Sequence, residues 1–455
     1  MNSAIPERCA GLLLHPTSTP SGKLDEQILT LLDWMASAGL SVWQMLPLTP
    51  PADGISPYQG LSAFAMNPAL LPDGWERTQD QDELSKFLEN PPHWLDDYCL
   101  FRVIKNLHEG RCWNQWPDSY KYRDEQALAA FREGHADALQ AIAEEQFALL
   151  SRWRQTRAEA NSRGIRLFGD IPIFVAYDSV DVWSQPQQFR LDENLNPTVV
   201  TGVPPDYFSE TGQRWGNPHY DWERMRLDDF QWWRNRMAWT LELFDMVRID
   251  HFRGLEASWE ITADEPTAIN GHWVKAPGHE LLSCLRREFD ALPVIAEDLG
   301  IITEEVVALK QAFDLPGMSV LQFGFSGLPD NPHSPAEQIE NSVVYTGTHD
   351  NETTLGWWLA QQDEGHKHWV MSQLDHEAGD MPWPLIQAAM SSPAQMAVVP
   401  MQDFLALDNQ ARMNTPGTIV DNWQWQYQPE DLSADLAQRI ERMIEKAGRH
   451  SVKKP

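Results

Sequence analysis

Asp245-Met246-Val247-Arg248-Ile249-Asp250-His251 is a short, largely apolar run that closes on an acid. Side chains alternate along a strand. Arg248 and Asp250 therefore share one face, and Ile249 and His251 point the other way. Two more runs end in the same manner. Pro293–Glu297 closes on Glu297, and Val343–Thr348 leads into His349-Asp350-Asn351. Each places a carboxylate at the C-terminal end of a strand.

Working outward, five further strands are expected: Ala10–Leu14, Ser41–Leu46, Ile165–Ile171, Met318–Phe323 and Met396–Met401. Helical spacing lies between several of them, at Leu24–Ser37, Phe230–Leu243, Glu280–Phe289 and Glu304–Phe313. Eight strands alternating with helices predict parallel α/β architecture, here a (β/α)8 barrel, whose active site lies at the strands' C-terminal ends. The chain of 455 residues exceeds the roughly 250 of a plain barrel. We expect one domain over 1–455, with the excess in insertions. About 120 residues separate the second and third strands and about 75 the third and fourth, far beyond an ordinary βα loop. Residues 50–160 read as a mainly helical insertion, with a long helix over Ala136–Ala158. Residues 172–228 read as a Pro-, Gly- and aromatic-rich one. Both follow strand C-termini and should wall the active-site face.

A formal net charge of −31 argues against nucleic acid and anionic membranes as partners. The four cysteines lack metal-ligand spacing and are too sparse for a disulfide scaffold. With no signal-peptide core near Met1 and no membrane-length apolar run, a cytoplasmic protein is expected. The 21 Trp suit both a large core and the apolar face of a sugar ring.

The acids carry the expected chemistry. An Arg beside a carboxylate favours the ionised form, so Arg248 should lower the Asp250 pKa, as a nucleophile needs, although the pattern taken alone favours a structural Arg–Asp pair at the strand's end. Neighbouring barrel strands lie about 4.8 Å apart. Glu297 can therefore stand near the roughly 5–5.5 Å of a retaining glycosidase pair, its pKa raised by Asp250 as a general acid requires. Asp298, on the opposite face by alternation, reads as a helix-capping or loop residue. Asp350 reads as a third acid for sugar hydroxyls. A metal site built on His251, His349, Asp250 and Asp350 is disfavoured, since alternation turns each His away from its Asp.

These segments resemble the 4-α-glucanotransferases (amylomaltases, glycoside hydrolase family 77). The resemblance rests on Arg248-Ile249-Asp250-His251-Phe252-Arg253-Gly254, Ala296-Glu297-Asp298-Leu299-Gly300 and Thr346-Gly347-Thr348-His349-Asp350-Asn351. It extends through Trp43–Leu48, Ser56-Pro57-Tyr58-Gln59, Gly169-Asp170-Ile171-Pro172, Pro204–Ser209, Gly212–Pro218, Ala411–Asn414 and Asn422-Trp423. It implies Asp250 as nucleophile, Glu297 as acid/base and Asp350 as transition-state stabiliser. Arg248 and His349 would contact the sugar at the cleavage site. Tyr58, Asp170, Gln213, Trp215 and Asn414 would line donor and acceptor subsites, and Tyr207 and Phe208 a loop covering the cleft. Two stretches depart from the family pattern, Gly22-Lys23-Leu24-Asp25 after the first strand and Asp408-Asn409-Gln410 before Arg412.

The implied activity is transfer of α-1,4-glucan segments between maltooligosaccharides, or to glucose, without cofactor or metal, by a monomer or homodimer. An α-glucan hydrolase is the first alternative. A non-catalytic glucan-binding protein is the second, disfavoured because all three acids are present.

Overall fold

Twelve strands organise the computed structural model, which describes residues 5, 8–52, 56–78, 80–205, 209–289, 292–374, 379–418 and 420–449. In chain order they are β1 (Cys9–Leu13), β2 (Val42–Gln44), β3 (Arg166–Pro172), β4 (Val199–Val203), β5 (Gln213–Pro218), β6 (Met246–Asp250), β7 (Ala257–Thr262), β8 (Gly271–Lys275), β9 (Val294–Ala296), β10 (Gly317–Val320), β11 (Ser342–Tyr345) and β12 (Met396–Pro400). Eight of these form one parallel sheet in the order β10-β11-β12-β1-β2-β3-β6-β9. They coincide with the eight expected strands, and the fold is a (β/α)8 barrel.

Alternation builds the barrel. Leu13, Val42, Phe168, Met246, Ile295 and Tyr345 point inward and pack on one another. Leu12, Trp43, Leu167, Val247, Ala296 and Val344 point outward into a larger core shared with the helices. The two edge strands, β9 and β10, share no ladder. The seam is closed instead by the Ala296 N–H donating to the Pro316 carbonyl at 2.9 Å. Asp298 reinforces it by accepting the Met318 N–H at 2.7 Å and pairing with Lys310. The expected loop role of Asp298 thus takes a specific form, a clasp across the seam. At the opposite end of the barrel, buried Arg449 donates to the carbonyls of Cys9 and Ala394.

The helices begin where their caps dictate. Asp25 accepts the Gln27 N–H and starts Glu26–Ser37, and Phe230, in the left-handed region, precedes Gln231–Leu243. Between β2 and β3 lie helices Gln81–Glu89, Leu95–Leu107, Glu125–Gly134 and the 27-residue Ala136–Ser162. The sixth barrel strand is shorter than its apolar run suggests. From Leu321 the chain turns into a 3-10 helix, whose last residue, Gly324, passes so close to His333 that a Cβ would lie 2.4 Å from its carbonyl oxygen.

A second, antiparallel sheet has the order β5-β4-β7-β8. The hairpin β7–β8, which lies between β6 and β9, is not among the expected strands. In Ala257-Ser258-Trp259-Glu260-Ile261-Thr262 the polar Ser258 and Glu260 are as buried as the apolar residues. The residues alternate apolar and polar as a one-sided strand does, but the burial does not follow, because Glu260 is buried in an ion pair with Arg190.

All four cysteines are free thiols. Trp43, Trp113, Trp153, Trp183 and Trp233 are fully buried core residues. No helix among the described residues is long and apolar enough to cross a membrane.

Candidate active site

Met246 belongs to the barrel interior, so alternation carries Arg248 and Asp250 up the same inner face. Phe168 does the same for Asp170 on β3, which pairs with Arg248 in register. The result is a tight network. Arg248 donates from Nε to Asp170 Oδ1 at 2.9 Å and from Nη2 to Asp170 Oδ2 at 2.7 Å, the two-pronged geometry that suits a guanidinium and a carboxylate. The same Nη2 reaches the Tyr58 hydroxyl at 2.9 Å and Asp250 Oδ1 at 2.8 Å. Tyr58 in turn donates to Asp170 Oδ2 at 2.6 Å. The Asp170 side chain is wholly buried, whereas that of Asp250 keeps 32% of its surface exposed. Asp170 and Arg248 are therefore the floor, and Asp250 is the acid that meets the cleft.

Ile295 faces inward, which brings Glu297 to the same mouth. Its backbone N–H donates to the Ile249 carbonyl, so it stands beside Asp250. Glu297 Oε2 accepts the His251 N–H at 2.7 Å, and Oε1 accepts the Leu299 N–H at 2.9 Å. Burial, then the Asp250 charge, pushes the Glu297 carboxyl up to about 8. The expected direction holds, but with burial as the larger cause.

For Asp250, Arg248 acts in the expected direction, but it does not set the net shift. Burial raises its carboxyl to about 6, and Asp170 and Asp350 add to the rise. Arg248 and His349 oppose it without prevailing. Arg248 divides its charge between two carboxylates, and the buried Asp170 holds the greater share of its hydrogen bonds. An acid at about 6 is still mainly ionised at neutral pH, and one at about 8 mainly protonated. The pair can thus offer one carboxylate and one protonated carboxyl group at neutral pH. We expect a bell-shaped pH profile of kcat/KM. It falls below about 6 as the Asp250 carboxylate is protonated, and above about 8 as Glu297 loses its proton, both limbs belonging to the coupled pair. A profile flat from about pH 5 to about pH 9 would refute these assignments.

The strand β11 ends at Tyr345, and alternation lapses beyond it. His349 and Asp350 therefore both reach the mouth, with His349 Nε2 at 3.3 Å from Asp350 Oδ2. Asn414 donates to Asp350 Oδ1 at 2.6 Å. Burial pushes the Asp350 carboxyl up, but His349, Asn414 and Arg248 together hold it below the ordinary carboxylate range. The His349 ring stacks on Tyr58, with centroids 5.2 Å apart.

Trp215 and Gln213 come from β5. The Trp215 indole donates to Gln213 Oε1 at 3.2 Å, and its ring meets His251 edge to face at 4.8 Å. This contact sets the second sheet against the end of β6. Tyr58, Asp170, Arg248, Asp250, Glu297, His349, Asp350 and Asn414 are thus drawn into one cluster, with Trp215 and Gln213 beside it. Tyr207 and Phe208 lie outside the described residues. Among the described residues, no group of three or more His, Cys, Asp or Glu is placed to hold a metal ion.

Two further residues complete the cluster. Arg412 donates to the Asp350 and Asn414 carbonyls at 2.6 and 2.8 Å. Trp423 lies 5.7 Å from His349 and 6.1 Å from Tyr58, ring to ring. Its φ of 64° is a strained value for a bulky residue. Both stand in family-like motifs, but no local spacing links them to an acid more than sixty residues earlier in the chain.

Comparison with known proteins agrees with this geometry. Residues 13–74 and 72–433 match the sequence profile of the 4-alpha-glucanotransferase family, glycoside hydrolase family 77. The chain is 42% identical to a 4-alpha-glucanotransferase of Thermus thermophilus, over 96% of this chain and 98% of that protein. It is 40% identical to one of Synechocystis, over 98% and 99%. Its fold superposes on the amylomaltase of Streptococcus agalactiae, solved in complex with acarbose, with a TM-score of 0.92 and 30% identity, covering 98% of this chain and all of that one. The chain belongs to the 4-alpha-glucanotransferase family, glycoside hydrolase family 77.

Proposed function

We propose that this chain transfers α-1,4-glucan segments by double displacement with retention. The observation that carries the reading is the pair at the ends of β6 and β9: Asp250 on its hydrogen-bonded floor and Glu297 beside it, with burial and the Asp250 charge pushing the Glu297 carboxyl the higher of the two. Glu297 protonates the glycosidic oxygen while Asp250 attacks the anomeric carbon, forming a glycosyl-enzyme and releasing the reducing-end fragment. Glu297, now ionised, removes the proton from the 4-hydroxyl of an incoming glucan or glucose. That oxygen attacks the anomeric carbon and frees Asp250. Asp350, held ionised by His349 and Asn414, binds sugar hydroxyls and favours the flattened, positively charged ring of the transition state.

The donors are maltooligosaccharides, a reading supported by the acarbose complex of the similar Streptococcus agalactiae enzyme. Arg248 and His349 meet the sugar at the cleavage point, and Tyr58 and Asp170 belong to the donor and acceptor subsites. Asn414, Gln213 and Trp215 extend the contacts outward. We read 1–455 as one catalytic domain whose segments 50–160 and 172–228 wall that cleft. The steps balance with two carboxyl groups and call for no cofactor. The enzyme works in the cytoplasm, as a monomer or homodimer.

Water and a sugar compete for the same intermediate. A many-contact acceptor wall of Trp215 and Gln213 favours the sugar. Incubation with maltotriose should therefore yield glucose together with a ladder of longer maltooligosaccharides. Products no longer than the substrate would make the chain a hydrolase.

A further inference from the structure

The segment 346–354 carries His349 and Asp350, yet it is not part of any strand. Both of its ends meet one buried side chain. Asp403 sits on the short helix Met401–Phe404 that follows β12 and is 1% exposed. Its Oδ2 accepts from the Thr346 hydroxyl at 2.6 Å and from the Thr354 hydroxyl at 2.7 Å. Its Oδ1 accepts the Thr354 N–H at 2.7 Å. Both threonines are fully buried. The middle of the segment is held as well: Gln322 donates to the Glu352 carbonyl at 3.0 Å, and Asn409 to the Glu352 carboxylate at 2.6 Å.

We infer that Asp403 is a positioning residue for the transfer reaction, pinning Thr346 and Thr354 so that Asp350 and His349 stand at fixed height over Asp250. This rests on the reading of Asp350 given above. Three donors converge on one carboxylate from the two ends of a single turn, and that turn holds two of the groups facing the sugar. Asp403 acts through the turn. The cavity it shares with His15, His349 and Thr353 holds about 30 Å³, room for about one water and not for a sugar ring. An active-site group must be held to within about 0.5 Å of its productive place. A strand end would supply that rigidity for Asp250 and Glu297, whereas Asp350, five residues past β11, needs it from elsewhere.

The test compares Asp403→Ala, Asp403→Asn, Thr354→Val, Asp350→Asn and the double variant Asp350→Asn/Asp403→Ala. Transfer from maltotriose is measured per binding-competent site, counted by the stoichiometry of acarbose binding. Asp403→Ala should lower kcat about 10- to 100-fold with KM within about threefold, the mark of an interaction made in the transition state. Asn, whose amide can still accept one N–H and meet a hydroxyl, should recover most of the loss. The double variant should be no slower than Asp350→Asn alone, since coupled residues are not additive. Losses that multiply in the double variant, or a kcat per site equal to wild type in Asp403→Ala, overturn the proposal. So does a loss of rate matched by a loss of acarbose stoichiometry, which would mean a merely structural role. Should Asp403→Ala fail to fold, Thr354→Val decides the matter: about a several-fold loss per site is expected, and none refutes it. Wild-type rates in Asp350→Asn would instead sink the role given to Asp350.

Discussion

Asp250→Ala is expected to abolish transfer, lowering kcat by at least about 10⁴-fold, while glucan binding survives. No neighbouring group can replace the nucleophile. Asp170 is wholly buried and engaged by Arg248 and Tyr58, and Asp350 lies off a different strand. The fold should tolerate the change, because Arg248 keeps three of its four hydrogen bonds, two to Asp170 and one to Tyr58. Two further results would identify the lesion. Azide supplied with an activated α-glucosyl donor should enter from the side Asp250 vacated and yield the β-glucosyl azide. The Glu297 carboxyl, raised to about 8 in part by the Asp250 charge, should titrate at lower pH. Turnover surviving in Asp250→Ala would transfer the nucleophile's role elsewhere.

Glu297→Gln should lower transfer from maltotriose by about 10²- to 10⁴-fold, the usual worth of a positioned proton donor and acceptor. The amide cannot supply a proton to a glycosidic oxygen, but it keeps an oxygen for one of the two N–H groups, His251 or Leu299, that hold the side chain. The deficit should depend on the leaving group. With α-glucosyl fluoride, which departs without protonation, glycosylation of Asp250 should proceed and the intermediate accumulate. Azide should then release it as the α-glucosyl azide, since two inversions have occurred. Opposite azide stereochemistry in the two variants distinguishes nucleophile from acid/base. A loss independent of the leaving group would count against Glu297 as the proton donor.

Much of this site was legible because a strand writes its geometry into alternate residues. Arg248 and Asp250 share a face whatever surrounds them, and Glu297 rather than Asp298 faces the ring for the same reason. The direction of the Glu297 shift followed too, since burial and a neighbouring carboxylate act alike. The Asp250 shift did not. Its sign is set first by burial, with Arg248 opposing and Asp170 adding to the rise, and Asp170 is an acid 80 residues away that only the pairing of β3 with β6 brings near. Trp423 and Arg412 were visible as motifs, but not as neighbours of His349 and Asp350 respectively. The β7–β8 hairpin was absent from the expected strands although Ala257–Thr262 alternates apolar and polar residues, because the βα repeat of a barrel leaves no place for an antiparallel pair between β6 and β9.

The amino-acid sequence by itself determined the eight strands, their inward faces and the acids at their ends, because periodicity and termination are local properties of the chain. Only the tertiary structure decided which acid is charged, which rings wall the cleft and what holds the turn carrying Asp350. Those are matters of distance between segments far apart in sequence, set when the barrel closes and its loops pack over one mouth.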